Sequence, residues 1–180
     1  MVCGYGRHGK DTVSEMLEMP FKSSSEVANE VVIYPHWGKH RYNSLQECFD
    51  DRHNYRQVWY DMIISFNKSD KARLGKMILK ENDIYCGIRC IKEFMALKEQ
   101  EVFDLAIWVD AGERHPPEPK SSCTMKAELC DIILTNNGSL ADLQEKVNLV
   151  KVIIKLLGTI VSLTGAVLDQ LNQVENQDNG

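Results

Sequence analysis

Met1-Val2-Cys3-Gly4-Tyr5-Gly6-Arg7-His8-Gly9-Lys10-Asp11-Thr12 opens the chain, and its reading decides the fold. Met1 to Cys3 form a short apolar run. Val13, Met16 and Leu17 follow at helical spacing and stop before Pro20. The order is strand, glycine-rich turn, helix. Within the turn, Gly4, four residues, Gly9 and Lys10 fit the phosphate-loop pattern. Glycines let the backbone curl until its N–H groups converge on phosphate oxygens, and the helix adds its positive end. Lys10 is expected on the β and γ phosphates. A lysine at a helix start opposes the helix dipole unless an anion is present. The usual Ser or Thr after the lysine is replaced by Asp11, with Thr12 next. Either side chain is a candidate for magnesium. Gly6, Arg7 and His8 complete the expected phosphate-contacting set.

Outward from this loop, residues 22–30 are polar and serine-rich, and Val31-Val32-Ile33-Tyr34 reads as a brief strand stopped by Pro35. Residues 36–54 show little periodicity and read as a functional loop region. The spacing of Val58, Trp59, Met62, Ile63 and Phe66 predicts a helix, and that of Leu74, Met77 and Ile78 predicts another. Ile84-Tyr85-Cys86 is a buried strand, and Ile91, Phe94, Met95 and Leu97 mark a helix. Leu105 to Val109 is a strand ending at Asp110. Gly112 to Ser122, with three prolines, is a loop. Asp131 to Leu134 is the last strand. Asn136-Asn137-Gly138 turns the chain, and Ser139 caps a helix from Leu140. Strands alternating with helices imply an α/β protein, a parallel sheet covered on both faces.

The 180 residues have 43% hydrophobic and 26% charged side chains, which excludes a disordered chain, a collagen-like repeat and a polytopic membrane protein. A net charge of -5 and a pI near 5.6 argue against a nucleic-acid polymer as partner. The six cysteines form no CxxC pair, and with no secretory signal they read as reduced thiols of a cytoplasmic protein. His36, His40, His53 and Cys48 match no zinc spacing. Lys39, His40 and Arg41 form a basic knot.

Gly9-Lys10-Asp11-Thr12 resembles the phosphate loop of the deoxynucleoside monophosphate kinases of tailed bacteriophages, which carry Asp at this position. Arg89 and Glu93 after the strand Ile84–Cys86 resemble a second family motif, with Gly87 where the family has Asp. Asp131 to Leu140, followed by Leu143, resembles the closing strand, turn and helix. The resemblance covers residues 1–147. It implies a P-loop NTPase-like, three-layer α/β/α fold around a five-stranded parallel core. Residues 36–60 would form the monophosphate-binding region and 112–126 a lid-like loop. The implied activity is transfer of the ATP γ-phosphoryl group to a deoxynucleoside monophosphate with magnesium, in the host cytoplasm if phage-encoded. The alternative is a nucleotide-binding oligomeric protein with little or no turnover and a regulatory or binding role.

Such chemistry aligns two polyanions and neutralises the transferring group, so it needs cations. Arg52 and Arg56, four residues apart, are expected to clamp the monophosphate from one helix face. Trp59 and Tyr60 offer stacking surface, although Trp59 alone reads better as core. Arg89 leaves a strand end, where ligands gather in open sheets, and Glu93 one turn on is expected to orient it. Asp110 ends a strand as magnesium-shell aspartates do. Arg114, with Lys120 beyond it, is the candidate closing arginine. Lys10, Arg89 and Arg114 thus form the expected catalytic set.

Residues 148–180 depart from this plan. Leu143, Val147, Val150, Ile154, Leu157 and Val161 continue a heptad stripe, and a second apolar stripe from Leu149 to Val167 widens the face. Homo-oligomer pairing through this helix is expected. The uncharged run from Leu156 to Leu168 is short for a bilayer, so membrane contact is not expected. Gln170 to Gly180 reads as a polar, frayed end.

Overall fold

The computed structural model describes residues 1–119 and 123–178, with side chains as far as Ala166. In chain order the elements are β1 (Val2–Cys3), α1 (Lys10–Met16), β2 (Phe21–Ser23), α2 (Ser24–Ala28), α3 (Tyr34–His36), α4 (Leu45–Asp50) and α5 (Arg56–Phe66). Then come α6 (Arg73–Leu79), β3 (Ile84–Cys86), α7 (Ile91–Glu99), β4 (Ile107–Asp110), β5 (Ile132–Thr135) and α8 (Leu140–Asp178). The five strands form one parallel sheet in the order β2-β3-β1-β4-β5. The chain is therefore α/β, with an apolar C-terminal helix.

β1 is two residues long and still central, because both edges are used. Gly87 N–H donates to the Val2 carbonyl at 2.9 Å, and Ile107 N–H donates to Met1 at 2.9 Å. Two-residue periodicity sorts the core into two layers. Cys3, Tyr85 and Trp108 point to one face and pack with Leu74 and Ile78 of α6 and Phe94 and Leu97 of α7. Val2, Ile84, Ile107 and Val109 point to the other, against Val13 of α1, Leu17 just after it, and Leu143, Val147 and Val150 of α8. Helices thus cover both faces.

The expected strand at Val31–Tyr34 is helical. Ser23 caps α2: its hydroxyl accepts from Glu26 N–H, and the Glu26 carboxylate accepts from Ser23 N–H. That box starts a helix inside the serine-rich stretch, and Ala28, Val32 and Ile33 bury on it. A π-helical turn over Asn29–Ile33 widens the backbone just before Pro35, whose ring cannot supply the next N–H. Packing overrides β-propensity here: Val32 and Ile33 form a satellite core with Cys48 and Trp59. The edge strand β2 carries no strand signal in the sequence, because Phe21-Lys22-Ser23 is short and half-buried.

Ser139 caps α8 as its sequence predicts, accepting from Asp142 N–H at 3.2 Å. The packed part of α8 runs through Val150 to the half-buried Ile154, and Lys151 pairs with Glu18 at 2.9 Å. Domain packing thus extends beyond residue 147. Beyond it Leu156, Ile160, Val161 and Leu163 stand exposed. Leu140–Ala166 is long and apolar enough to cross a membrane by length and composition, and it holds an 18-residue window of mean hydropathy 1.8 of which 6% is buried. The backbone stays helical to Asp178, where the polar composition predicts fraying from Gln170. Side chains of Val167 and Leu168, which end the second apolar stripe and the uncharged run, lie outside the described residues.

Candidate functional site

The chain switches sides of the sheet around β1: it reaches β2 and β3 on one flank and β4 and β5 on the other. A crevice therefore opens at the strand C-termini beside the Gly4–Gly9 loop. Gly4 has φ +143°, and a Cβ there would lie 2.5 Å from the Val109 carbonyl, so only glycine lets the loop leave over β4. Gly9 has φ +92°, and its Cβ would strike the Asn136 amide. That amide donates to the His8 carbonyl at 2.9 Å and holds the loop from β5.

His8 is 1% exposed. Its Nδ1 accepts from Ala111 N–H at 3.0 Å, and its Nε2 lies 3.3 Å from the His115 carbonyl. That pair assigns the proton to Nε2, so the 3.8 Å approach of Nδ1 to Asp110 is not an ion pair. His8 therefore buckles the loop to the chain after β4. It does not line the crevice, contrary to its expected phosphate contact.

The crevice is a cavity of about 830 Å³. It brings together Gly6, Arg7, Lys10 and Asp11 from the loop region, Arg52, Arg56, Trp59 and Tyr60 from the expected acceptor region, and Arg89 and Glu93. Lys10 folds back, its Nζ donating to the Tyr5 carbonyl at 2.7 Å. Burial pushes the Lys10 ammonium down, and the Arg89 charge beside it adds to that. Asp11 accepts from the Cys86 thiol at 3.3 Å. Gly87, with φ +86°, has Lys10 Cε 3.6 Å from where its Cβ would stand. A side chain at this position would thus face Lys10, and here no carboxylate projects from it.

Several expected roles change. Arg52 and Arg56 do not share one helix face, because the 3-10 turn Asp51–Tyr55 separates Arg52 from α5. Arg52 donates to the Phe49 carbonyl at 2.9 Å and stacks 4.0 Å from the Phe49 ring, while still lining the cavity. Glu93 does not orient Arg89. It is 5% exposed and accepts from the Tyr85 hydroxyl at 3.0 Å. Burial pushes its carboxyl up to about 7, with the Tyr85 hydrogen bond pulling the other way. Trp59 is 5% exposed and belongs mainly to the satellite core.

Asp110 faces a separate depression with Tyr5, Lys126 and Glu128, and its Oδ1 accepts from Gly112 N–H at 3.0 Å. Arg114 donates to the Asn136 carbonyl behind the loop. Neither lines the crevice, nor do Gly4, Gly9 and Thr12. Arg41 of the basic knot stacks 4.8 Å from Trp37. Lys120 lies outside the described residues.

The residue that sequence reasoning missed is Glu118. Its Oε1 accepts from Arg56 at 2.9 Å, and its Oε2 accepts from Arg89 at 2.6 Å and from Gly6 N–H at 2.9 Å. Burial pushes this carboxyl up, yet the Arg89 hydrogen bond and charge, Gly6 N–H and Arg56 outweigh it and hold it below the ordinary value. Nothing in Pro116-Pro117-Glu118-Pro119 signals this role locally. The contacts reach 29 residues back to Arg89, 62 to Arg56 and 112 to Gly6.

Comparison with protein-family models, curated proteins and solved structures finds no match.

Proposed function

We propose that this protein is a P-loop NTPase-like phosphotransferase that moves the ATP γ-phosphoryl group to a deoxynucleoside monophosphate. One observation carries the reading. Three donors from separate parts of the chain, Gly6 N–H, Arg56 and Arg89, converge on the single carboxylate of Glu118, and all three residues line the same crevice as Lys10. An anion position shared by the glycine loop and the 36–60 region is what alignment of two phosphorylated substrates requires.

In this reading Gly6 N–H and Lys10 hold the β and γ phosphates. Arg89 and Arg56 take the oxygens between donor and acceptor. An acceptor phosphate oxygen attacks the γ phosphorus, the bond to the β–γ bridging oxygen breaks, and ADP leaves with that electron pair. The arginines stabilise charge on the transferring group, and no side chain bonds to phosphorus. Asp11 lines the cavity beside Lys10, and one carboxylate with substrate phosphates suits magnesium, which keeps several waters. The ion would supply further charge neutralisation at the bridging oxygens. Asp110 and Thr12 lie off the cavity and are left out of this proposal.

A coupled assay of ADP release with ATP and each deoxynucleoside monophosphate tests it. Turnover with at least one acceptor is expected. ATP binding without turnover on any acceptor refutes the kinase reading and leaves the nucleotide-binding regulator. Gly87, which supplies no carboxylate next to Lys10, is the observation that favours this second reading.

A further inference from the structure

We propose that Glu118 is a built-in stand-in for a phosphoryl group: its carboxylate fills the anion position and must be displaced before ATP can bind productively. This rests on the phosphate-site reading above.

The geometry carries the proposal. Arg56 and Arg89 each take a different oxygen of the carboxylate, and Gly6 N–H shares the second. Two oxygens of one carboxylate are spaced much like two oxygens of one phosphate, and arginine binds both groups through the same planar fork. The occupant is enclosed: the Glu118 side chain is 13% exposed, against 59% for Arg56 and 37% for Arg89. A Cβ on Gly6 would lie 3.2 Å from Glu118 Oε1, so the loop presses directly on the carboxylate.

Electrostatics explains why Glu118 stays at this point. Arg89 and Lys10 repel each other across the crevice, and Arg56 joins Arg89 at the same point. Glu118 offsets part of that positive charge. A phosphoryl group carries more charge and more acceptor oxygens, so it can take the same donors. His115 N–H donates to the Ala111 carbonyl at 2.9 Å on one side of Glu118, and the Pro119 carbonyl accepts from Cys123 N–H at 3.1 Å on the other, while Pro116 and Pro117 between them carry no N–H to donate. Exchange of one anion for another is thus a local swing of Glu118.

The swing imposes a cost on ATP affinity and keeps the transfer position filled when no nucleotide is present. Glu118→Gln keeps the shape and removes the charge. Calorimetric titration with the non-hydrolysable ATP analogue AMP-PNP should show tighter binding by about tenfold. That factor follows if the displaced form is about a tenth of the unliganded protein. Glu113→Gln removes an equal charge from an exposed neighbour in the same segment and should leave the affinity unchanged. Unchanged or weaker binding by Glu118→Gln overturns the proposal, and weaker binding makes Glu118 a positioning residue instead. Equal tightening by Glu113→Gln also overturns it. Absence of AMP-PNP binding by both wild type and Glu118→Gln removes the phosphate-site reading itself. Should Glu118→Gln fail to fold, hydrogen exchange on the wild-type protein decides. The Glu118 amide should exchange faster with AMP-PNP bound, and equal or slower exchange overturns the proposal.

Discussion

Burial pushes the Glu93 carboxyl up from an ordinary value of 4.5 to about 7. Folded Glu93 therefore keeps a proton that the unfolded chain has already released, and stability falls as pH rises from about 4.5 to about 7. Glu93→Gln keeps an acceptor for Tyr85 and removes the titration. Urea unfolding should show it near wild type at pH ~4.5 and more stable at pH ~8, by up to about 3 kcal/mol. Equal stability at both values refutes the assignment. At the loop, Gly9→Ala meets both a left-handed backbone and the Asn136 amide. A loss of about 1–3 kcal/mol is expected in thermal unfolding. Lys10→Ala should lower phosphoryl transfer by about a hundredfold to a thousandfold in the coupled assay, because a preorganised cation is lost. Retained activity refutes the role of Lys10.

At the scale of elements, the sequence pattern succeeds where burial and periodicity agree. β3, β4 and α5 to α7 lie within a few residues of their apolar stripes, and the glycine loop sits between strand and helix as its spacing requires. It fails at Val31–Tyr34, where β-branched residues belong to a helix started by the Ser23–Glu26 box. It fails at β2, whose only claim to be a strand is its partner Ile84–Cys86. The stability of α8 near its start rests on Ser139. Ser139→Ala removes the acceptor for Asp142 N–H and should cost about 1 kcal/mol in chemical denaturation. No change would mean that packing of Leu143 and Val147 alone fixes this end.

For the whole molecule, the exposed apolar stripe of α8 is its most conspicuous surface. Val152, Leu156, Ile160, Val161 and Leu163 are each more than half exposed on one continuous helix. Pairing with a second copy is the expectation that the heptad spacing raises. Light scattering should give fewer chains per particle for a chain ending at Lys155 than for the full chain, with the Ile154 packing retained. An unchanged number of chains per particle refutes pairing through this helix. By itself the sequence determined the α/β class, the loop at Gly4–Gly9 and the concentration of apolar residues after 147. Each depends on local periodicity, glycine spacing or composition. Tertiary structure alone decided which charges meet. It withdrew His8, Asp110 and Arg114 from the crevice and turned Glu93 onto Tyr85. It brought Glu118 to Gly6, Arg56 and Arg89, because an ion pair is fixed by distance in space and leaves no periodic trace along the chain.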